Sequence, residues 1–220
     1  MMKAVLLEGF GGVDVMKIGE AEKPTPKEGQ VLLKIHATSV NRPDLVQRMG
    51  NYPPPAGDSE ILGLEVAGVI EELGVGVDGW KVGDRVMTLV GGGSYAEYAV
   101  AYAGHLMPIP ESMSFEEAAC VCESYITAFL NIFMIGGLKD NNTAIIHGGG
   151  GGVNMAGVQL CKALVPNTKL IVTAAPDKIE RVQGMGVDLV INFRETPDFA
   201  EAVKAFTNKK GVDVILDHVG

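Results

Sequence analysis

Short apolar runs separated by Gly, Pro and Asp clusters dominate the first half of the chain. They lie at residues 31–35, 66–70, 85–89 and 96–100, and Val and Ile are frequent in them. Runs of this length between turn-forming residues are typical of β-strands. Residues 51–58 include three consecutive prolines and are predicted to form a loop, because proline lacks the backbone donor that a helix or a central strand needs. Residues 1 to about 110 are therefore predicted to be rich in β-structure.

The hydrophobic pattern changes near Ser114. Ser114 and Glu117 have the spacing of a capping box, and apolar positions continue at helical spacing to about residue 134. Beyond that point, strands are predicted at residues 143–147, 169–173, 189–192 and 212–217, with helices at residues 153–164, 177–185 and 199–207. Strands that alternate with helices of this length predict βαβ units and a parallel sheet, and right-handed crossovers favour a Rossmann-type arrangement.

The expected fold class is α/β, with a β-rich domain at residues 1–120 and part of a doubly wound parallel sheet at residues 121–220. The sequence ends directly after the fourth predicted strand of this sheet. A doubly wound dinucleotide-binding domain usually has about six strands. We therefore expect the sequence to stop inside this domain.

Composition and charge exclude several classes of protein. The chain is 47% hydrophobic and 20% charged, which is typical of a folded protein, and its net charge of −9 without any basic run argues against nucleic acid as a partner. Three cysteines without a CxxC pair suggest neither a disulfide framework nor a structural zinc site. The N-terminus lacks a signal-peptide core, and no run approaches the ~20 apolar residues of a membrane span. The default expectation is a cytoplasmic protein without a membrane partner.

A glycine-rich segment between a predicted strand and a predicted helix is the strongest local motif. It runs His147, Gly148, Gly149, Gly150, Gly151, Gly152, Val153, Asn154. Glycines at such a turn let the backbone approach a pyrophosphate, and the helix N-terminus offers free N–H groups. A flexible linker is the alternative, which the strand and the amphipathic helix on either side disfavour. Asn154 stands where the GxGxxG frame from Gly149 requires its third glycine, so the strict fingerprint is absent.

The end of the second strand of the predicted parallel sheet indicates which dinucleotide is bound. An NAD site usually has an acidic residue there, which binds the ribose hydroxyls, whereas this strand ends in Thr-Ala-Ala-Pro. Lys178 and Arg194 offer positive charge to a 2′-phosphate, so NADPH is the expected cofactor. Asp177 is an argument against this choice, and we interpret it as a helix N-cap with Glu180 closing the box.

Several segments together resemble the zinc-free quinone oxidoreductase branch of the medium-chain dehydrogenase/reductase superfamily, in particular the stress- and tumour-suppressor-inducible NADPH:quinone oxidoreductase type. In order along the chain they are VNRPDLVQR at 40–48, NYPPPAG at 51–57, LGLE at 62–65, GDRV at 83–86, GGGSYAEY at 91–98, TAF at 127–129 and GVDVILD at 211–217. The resemblance extends over essentially the whole chain. It implies a GroES-like catalytic domain followed by a Rossmann domain, and a longer chain that continues past Gly220.

The resemblance also implies site residues. Asn41 and Asp44 would lie near the nicotinamide end of the cofactor, Tyr52 would line the quinone pocket, and Thr127 would lie by the nicotinamide or its phosphates. The pyrophosphate would be held by Gly149, Gly150, Gly151, Gly152 and Val153, and the 2′-phosphate by Lys178. The sequence departs from the family pattern at Gly151, often serine, at Asn154, often glycine, and at Phe193, where a tyrosine beside the adenosine phosphate is usual.

A catalytic metal is not expected. Zinc-dependent relatives have a cysteine near Asn41 and a histidine at the position of Leu64, and neither residue present is a zinc ligand. The acid that lies behind the metal in those relatives is Glu65 here. Because a buried carboxylate must be paired, we expect a structural ion pair from Glu65 to Arg85 or Lys34.

The activity implied is hydride transfer from NADPH to a quinone or another electrophilic carbonyl compound, with the protein supplying orientation and a dry pocket. Tyr52 is the candidate donor to the developing oxyanion, with Asn41 beside it, although Tyr52 could equally serve only to shape its loop. Two alternatives stay open: an NADPH-dependent enone or enoyl reductase, and a non-catalytic relative. A longer form is expected to be a homodimer.

Overall fold

The computed structural model describes residues 1–218 and divides the chain into two compact units, Met1–Glu123 and Ser124–Gly220. The sequence pattern places the domain boundary between residues 120 and 121. The contact-defined boundary lies three residues later, inside a run of helical turns.

The first unit contains a five-stranded antiparallel sheet and a separate two-stranded hairpin. The strands are β1 Met2–Leu7, β2 Met16–Ala21, β3 Gln30–Ala37, β4 Glu65–Leu73, β5 Arg85–Leu89, β6 Tyr98–Tyr102 and β7 Met107–Pro108. The hairpin is formed by β1 and β2, and the larger sheet has the order β6-β3-β4-β5-β7. Helices α1 Arg42–Arg48 and α2 Phe115–Ala118 and short 3₁₀ turns at Val13–Val15 and Ala103–His105 complete the unit.

The larger sheet owes its position to apolar side chains of its central strands. Val31 and Leu33 of β3 and Val66 and Ile70 of β4 pack into one cluster and are almost fully buried. Gly68 of β4 lies so close to β3 that an added Cβ would be 2.1 Å from the Lys34 carbonyl oxygen. The sheet is therefore both apolar on one face and closely paired at its centre.

Helical turns follow the first unit's sheet from Phe115 to Ile135. The predicted capping box is confirmed, because Glu117 N donates to Ser114 Oγ at 3.1 Å and Ser114 N donates to Glu117 Oε2 at 2.9 Å. Beyond α2 the turns alternate between π-helix and α-helix, at Cys122–Ile126, α3 Thr127–Phe129 and Leu130–Ile135. Widened π turns have no signature in the hydrophobic period, which predicted a regular helix here.

By length and composition this helical stretch, Phe115–Ile135, also satisfies the minimum for crossing a bilayer, with a window of mean hydropathy 1.6 of which 28% is buried. Asn131 lies inside this stretch, and its Nδ2 donates to the Thr127 carbonyl at 2.8 Å, so this polar group has a partner within the helix. A core helix of a folded protein meets the same criterion. The absence of a membrane partner therefore stays a prediction.

The second unit is a four-stranded parallel sheet with helices between its strands, as the alternating pattern predicts. The elements are β8 Thr143–Gly149, α4 Gly152–Leu164, β9 Lys169–Ala174, α5 Ile179–Gln183, β10 Leu189–Asn192, α6 Phe199–Phe206 and β11 Val214–Leu216. The strand order is β10-β9-β8-β11, so the chain moves outward from β8 in both directions. This is the doubly wound half-sheet of a Rossmann-type fold.

Both faces of this parallel sheet are covered. Ile146 of β8 and Val172 of β9 pack on one side, whereas their neighbours Ile145 and Ile171 pack on the other with Val203 of α6. Successive side chains of a strand point to opposite faces, so continuous apolar runs are required where helices cover both.

Three of the predicted elements differ from the observed ones. The strand predicted at residues 96–100 is Tyr98–Tyr102, because residues 91–97 form a glycine-rich turn before it. The helix predicted at residues 177–185 is a 3₁₀ turn Pro176–Lys178 followed by the short α5. The strand predicted at residues 212–217 pairs with β8 only over Val214–Leu216.

Candidate functional site

The loop from β8 to α4 is a tight backbone turn at the carboxyl end of a central parallel strand. Gly148 and Gly150 adopt φ values of +75° and +108°, which side chains rarely tolerate. Gly151 is the N-cap of α4, and no side chain caps this helix. The first turn of a helix carries backbone N–H groups without intrahelical partners and the positive end of its dipole. The backbone thus has the tight turn and the uncapped helix start on which the predicted phosphate site depends, and phosphate binding itself stays a prediction.

Three glycines of the loop are each restricted by a different neighbour. A Cβ on Gly149 would lie 2.3 Å from Val172 Cγ1 of β9, and one on Gly150 would lie 3.0 Å from Lys178 Cγ. A Cβ on Gly152 would meet Ser124 Oγ at 2.9 Å. Gly151 is different, because it is exposed, has an ordinary extended backbone, and its Cβ would meet only the Asn154 amide, at 3.3 Å, and the Gly148 carbonyl, at 3.7 Å.

Asn154, at the position of the missing third glycine, is 5% exposed, and its Nδ2 donates to the Gly148 carbonyl at 2.6 Å. Gly157 follows about one turn later on α4. A Cβ added there would lie 2.9 Å from Ile132 Cδ1 in the preceding helical turns and 3.4 Å from Ile146 Cδ1 of β8, so α4 packs closely at this glycine, which the GxGxxG frame does not include.

The end of β9 carries no acid that faces the loop. Thr173 is buried, and its Oγ1 accepts from Gly148 N at 3.2 Å and contacts His147 Nδ1 at 3.1 Å. His147 thus has a polar partner within the scaffold of the second unit. Lys178 packs its stem over Gly150, and its Nζ forms an ion pair with Asp177 Oδ2 at 3.3 Å.

The interpretation of Asp177 as an N-cap is wrong. The 3₁₀ turn is preceded by Ala175 and α5 by Lys178, and neither segment has a side-chain cap. Pro176 starts the turn one residue too early for Asp177 to precede it. Asp177 instead offsets the charge of the lysine that was expected to recognise the 2′-phosphate.

Three other residues of the second unit were expected at the cofactor. Phe193 and Arg194 follow β10 and are both exposed, and Arg194 donates its backbone N–H to Asn192 Oδ1 at 3.1 Å. Thr127 lies within the helical turns and is half-buried. Within the described part of the chain, no side-chain hydrogen bond or ion pair joins these three residues to the glycine loop, and their roles stay predictions.

In the first unit, Asn41 and Asp44 are brought together at the start of α1. Asn41 N donates to Asp44 Oδ2 at 2.8 Å, and the same oxygen accepts from Tyr95 Oη at 3.0 Å. Burial raises the pKa of the Asp44 carboxyl, the neighbouring Glu65 adds to this, and the bonds from Asn41 and Tyr95 oppose it. Asp44 is 2% exposed, so its carboxylate holds the start of the helix in place.

Glu65 is the centre of a buried hydrogen-bond network, and the expected ion pair is wrong. Its Oε1 accepts from the Ser39 hydroxyl and from Asn41 Nδ2 at 2.7 Å, and its Oε2 accepts from the Glu123 backbone N at 3.0 Å. Arg85 instead donates to the Met113 carbonyl at 2.6 Å and stacks on the Phe115 ring. Glu65 is therefore bonded by three donors and not by a cation. Arg85 is out of place for the ion pair because it pairs with Val69, at the other end of the β4–β5 pairing from Glu65.

Tyr52 lies on the wall of a cavity of about 610 Å³ within the first unit. The other walls are mainly apolar, and the lining residues include Leu6, Leu7, Phe10, Gln47, Pro53, Pro54 and Ile61. Tyr52 is 45% exposed, and its loop begins after α1 with the triple proline that the sequence predicts as irregular. The cavity is of the size and apolar character that small organic ligands occupy.

Sequence reasoning missed the residues that hold this part of the site together. Ser39 is bonded to Glu65, and Tyr95 is bonded to Asp44. Two further residues, Gln47 and Phe10 of the N-terminal hairpin, line the cavity with Tyr52. The bond from Ser39 to Glu65 joins residues 26 positions apart along the chain, and the bond from Tyr95 to Asp44 joins residues 51 positions apart. No local pattern carries such a signal.

A dinucleotide fits the residues present, whereas a metal does not. Gly150 leaves a cradle that a Cβ would fill, at the uncapped start of the thirteen-residue α4, and this backbone suits a pyrophosphate. Among residues 1–218, no group of three or more His, Cys, Asp or Glu side chains could hold a metal ion. Asn41 is bonded to Glu65, and Leu64 is buried and apolar.

Fold and site together define a GroES-like domain followed by a dinucleotide-binding domain. The family models agree: residues 27–111 match the alcohol dehydrogenase GroES-like domain, and residues 152–220 match the zinc-binding dehydrogenase family. Among known proteins, the quinone oxidoreductase of Sus scrofa is 34% identical over 99% of this chain and 66% of its own length. The synaptic vesicle membrane protein VAT-1 homolog of Homo sapiens is 37% identical over the whole chain and 56% of its own length.

Solved structures give the same answer. The quinone oxidoreductase from Coxiella burnetii superposes with a TM-score of 0.86 at 30% identity, over 100% of this chain and 69% of that one. The CurK enoyl reductase superposes with a TM-score of 0.90 at 27% identity, over 100% and 68%. The chain belongs to the medium-chain dehydrogenase/reductase superfamily, in its quinone oxidoreductase branch. Membership implies a nicotinamide cofactor, NAD or NADP.

The chain spans about half the length of the VAT-1 relatives it matches, between 45% and 56% of each. It spans about two thirds of the solved structures.

Proposed function

We propose that this protein reduces quinones by metal-free hydride transfer from NADPH. The observation that carries the proposal is the loop between β8 and α4, whose backbone leaves the first N–H groups of α4 open beside a cradle of glycines. Two of the similar proteins are named quinone oxidoreductase, and they support the choice of substrate. NADPH supplies the hydride when it is bound.

The chain's own residues have separable roles in this proposal. The loop of Gly149, Gly150, Gly151, Gly152 and Val153 donates backbone N–H groups to the pyrophosphate. Lys178 supplies positive charge to the 2′-phosphate, since no acid stands at the end of β9 to favour the free ribose of NADH. Tyr52, in the apolar cavity, donates a hydrogen bond to the oxyanion that develops on the quinone, and Asn41 is oriented by Glu65.

Fluorescence titration with NADPH and with NADH tests the cofactor proposal. We expect binding that prefers NADPH, and the variant Lys178→Gln should lose most of that preference while NADH binding stays unchanged. Arg181→Gln is the matched control, because it removes the same charge from an exposed position of α5. A folded chain that binds neither dinucleotide would instead indicate the non-catalytic relative.

The enoyl reductase alternative has its own support in the CurK superposition. Turnover of a benzoquinone, an enone and an enoyl thioester under the same conditions separates the two activities. Tyr52→Phe separates the two roles of Tyr52. Loss of the hydroxyl should lower kcat for the quinone about 10²-fold or more if the hydroxyl donates to the oxyanion. An unchanged kcat would leave Tyr52 as a residue that only shapes its loop.

Metal content and location are further parts of the proposal. The purified protein should contain no stoichiometric zinc by elemental analysis, and a chelator should leave quinone turnover unchanged. We propose that the protein is cytoplasmic and that a longer form is a homodimer. Fractionation of cells that express the protein would test the first, because recovery with membranes would give the apolar stretch Phe115–Ile135 a different role.

A further inference from the structure

Gly148 is fixed from both sides at the point where β8 turns into the dinucleotide loop. Its N–H donates to Thr173 Oγ1 of β9 at 3.2 Å, and its carbonyl accepts from Gly151 N at 3.3 Å and from Asn154 Nδ2 at 2.6 Å. The bond from Asn154 is the shortest of the three. It connects the first turn of α4 directly to the end of β8, across the segment that would contact a pyrophosphate.

The Asn154 side chain has little freedom to move. It is 5% exposed, and its Oδ1 is buried without a hydrogen-bond partner among the described residues. Exchanging the two amide atoms would bring oxygen against the Gly148 carbonyl oxygen, so the observed orientation is fixed by the acceptor it faces. A buried acceptor that is left unpaired is unfavourable, so the hydrogen bond from Nδ2 to the Gly148 carbonyl is the polar contact that orients this side chain.

Gly151 is the position that this immobile side chain restricts. Its backbone, with φ −78° and ψ 156°, is extended and suits any N-cap residue, including serine. The nearest obstacle to a Cβ is Asn154 Nδ2, at 3.3 Å, a distance that requires the neighbour to give way. The other glycines of the loop are restricted by Val172, Lys178 or Ser124 and are independent of Asn154.

We propose that Asn154 is a positioning residue for the dinucleotide loop, and that Asn154 and Gly151 are a matched pair in which each residue requires the other. Asn154 braces the loop through Gly148, and Gly151 leaves room for that brace. In this chain the loop is held by a side chain beneath it instead of by a hydroxyl cap at its tip. The role toward NADPH rests on the proposed function, whereas the coupling between the two residues does not.

The experiment is a double-mutant cycle of Gly151→Ser, Asn154→Gly and the double variant, measured twice. The first measurement is thermal unfolding without cofactor, and the second is the NADPH dissociation constant. We expect each single variant to lower the melting temperature and to weaken NADPH binding about tenfold, a typical coupling between contacting residues. The double variant should recover to within about threefold of the parent, because serine then caps α4 in the space that asparagine leaves.

Ala163→Gly is the control for a purely structural effect. Ala163 is exposed in the last turns of α4, so this change weakens the helix without touching the loop. It should lower the melting temperature and leave the NADPH dissociation constant unchanged.

The outcomes separate the pair from the function. If the decreases in melting temperature of the two single variants add up in the double variant, the matched pair is refuted even when NADPH binds normally. If the double variant recovers in both measurements, the proposal stands in full. If neither the parent nor any variant binds NADPH, but the melting temperature recovers in the double variant, the pair stands and the proposed function fails.

Discussion

Asn41 Nδ2 donates to Glu65 Oε1 at 2.7 Å inside the first unit, and none of the ion pairs found among residues 1–218 includes Glu65. Glu65 is 1% exposed, and its other oxygen accepts from the Glu123 backbone. The carboxylate is thus stabilised by several donors, which fix the side chain of the residue expected at the nicotinamide. The resemblance identifies Glu65 with the acid that lies behind the metal in zinc-dependent relatives, and here that acid accepts from the Asn41 amide.

Replacing Glu65 by glutamine should therefore destabilise the protein. The new NH₂ group must face either the Ser39 and Asn41 donors or the Glu123 N–H, so at least one buried donor loses its acceptor. We expect a loss of about 1–3 kcal/mol in the free energy of unfolding, measured by urea denaturation. Glu71→Gln is the control, since Glu71 is 40% exposed in an ion pair with Lys23 and should change stability by less than about 0.5 kcal/mol. Equal effects of the two variants would contradict the network.

Asp177→Asn should strengthen NADPH binding if Lys178 recognises the 2′-phosphate. The variant removes the carboxylate 3.3 Å from Lys178 Nζ and leaves the lysine free to pair with the phosphate. Because both side chains are largely exposed, we expect only about a two- to fivefold lower dissociation constant at low salt, and less at high salt. NADH binding should not change, and Glu180→Gln should have no comparable effect. Weaker NADPH binding in Asp177→Asn would argue that Asp177 itself contacts the cofactor.

Gly149→Ala tests the packing of the loop on the sheet. The new methyl group would lie 2.3 Å from Val172 Cγ1 and 3.3 Å from the Thr173 carbonyl, so β8 and β9 must move apart. Overpacking of this kind costs about 1–3 kcal/mol, which urea denaturation would detect. Gly104→Ala is the matched control, because Gly104 has open space around it and an ordinary φ. If both variants were equally stable, the described approach of the loop to β9 would be wrong.

Stability should decline in alkaline solution through two buried thiols. Burial, with Glu65 and then Glu123 adding to it, raises the pKa of Cys122 to about 12, and burial raises that of Cys161 to about 11, from an ordinary value of 9.0. Above pH 9 the unfolded chain loses these protons and the folded chain keeps them, so the free energy of unfolding falls as pH rises from 9 toward 11. Their contribution is fully present below pH 9. Urea midpoints at pH 8 and pH 10.5 measure the decline.

The double variant Cys122→Ala, Cys161→Ala should reduce this alkaline decline, although its stability at pH 8 is lower because it leaves small cavities. Cys120→Ala is the comparison: partial burial and then Glu65 also raise the pKa of this exposed thiol, but less than for the two buried thiols, so its removal should reduce the decline less. A decline of the same size in the double variant would assign it to other groups, such as Tyr95, whose pKa burial also raises.

Local pattern was sufficient for much of the fold. The apolar runs located β3, β4, β5, β8, β9 and β10, the apolar period located α4 and α6, and the Ser114 capping box marked the start of α2. These features depend on hydrogen bonds and side-chain spacing within a few residues, which the order of residues encodes directly. The glycine loop was also visible, because only glycine accommodates its φ values and its approach to β9.

The sequence did not reveal the hairpin β1–β2, the seven-residue α1 or the π-helical turns. Helix α1 begins with Arg42 and Pro43 and is too short to show a period, and its start depends on Asp44 reaching back to Asn41. The hairpin strands alternate weakly, since much of β2 is exposed. In each case the decisive contact has no periodic signature.

For the candidate site, the sequence determined the residue types and their order: glycines after a strand, no acid at the end of β9, Asn41 and Leu64 where zinc relatives have ligands. Only the tertiary structure decided what those residues contact. It bonds Glu65 to Asn41 instead of Arg85, pairs Asp177 with Lys178, and makes Asn154 a brace beneath the loop. The physical reason is that burial, hydrogen-bond partners and close packing join residues from distant parts of the chain, and these contacts exist only once the sheets have formed.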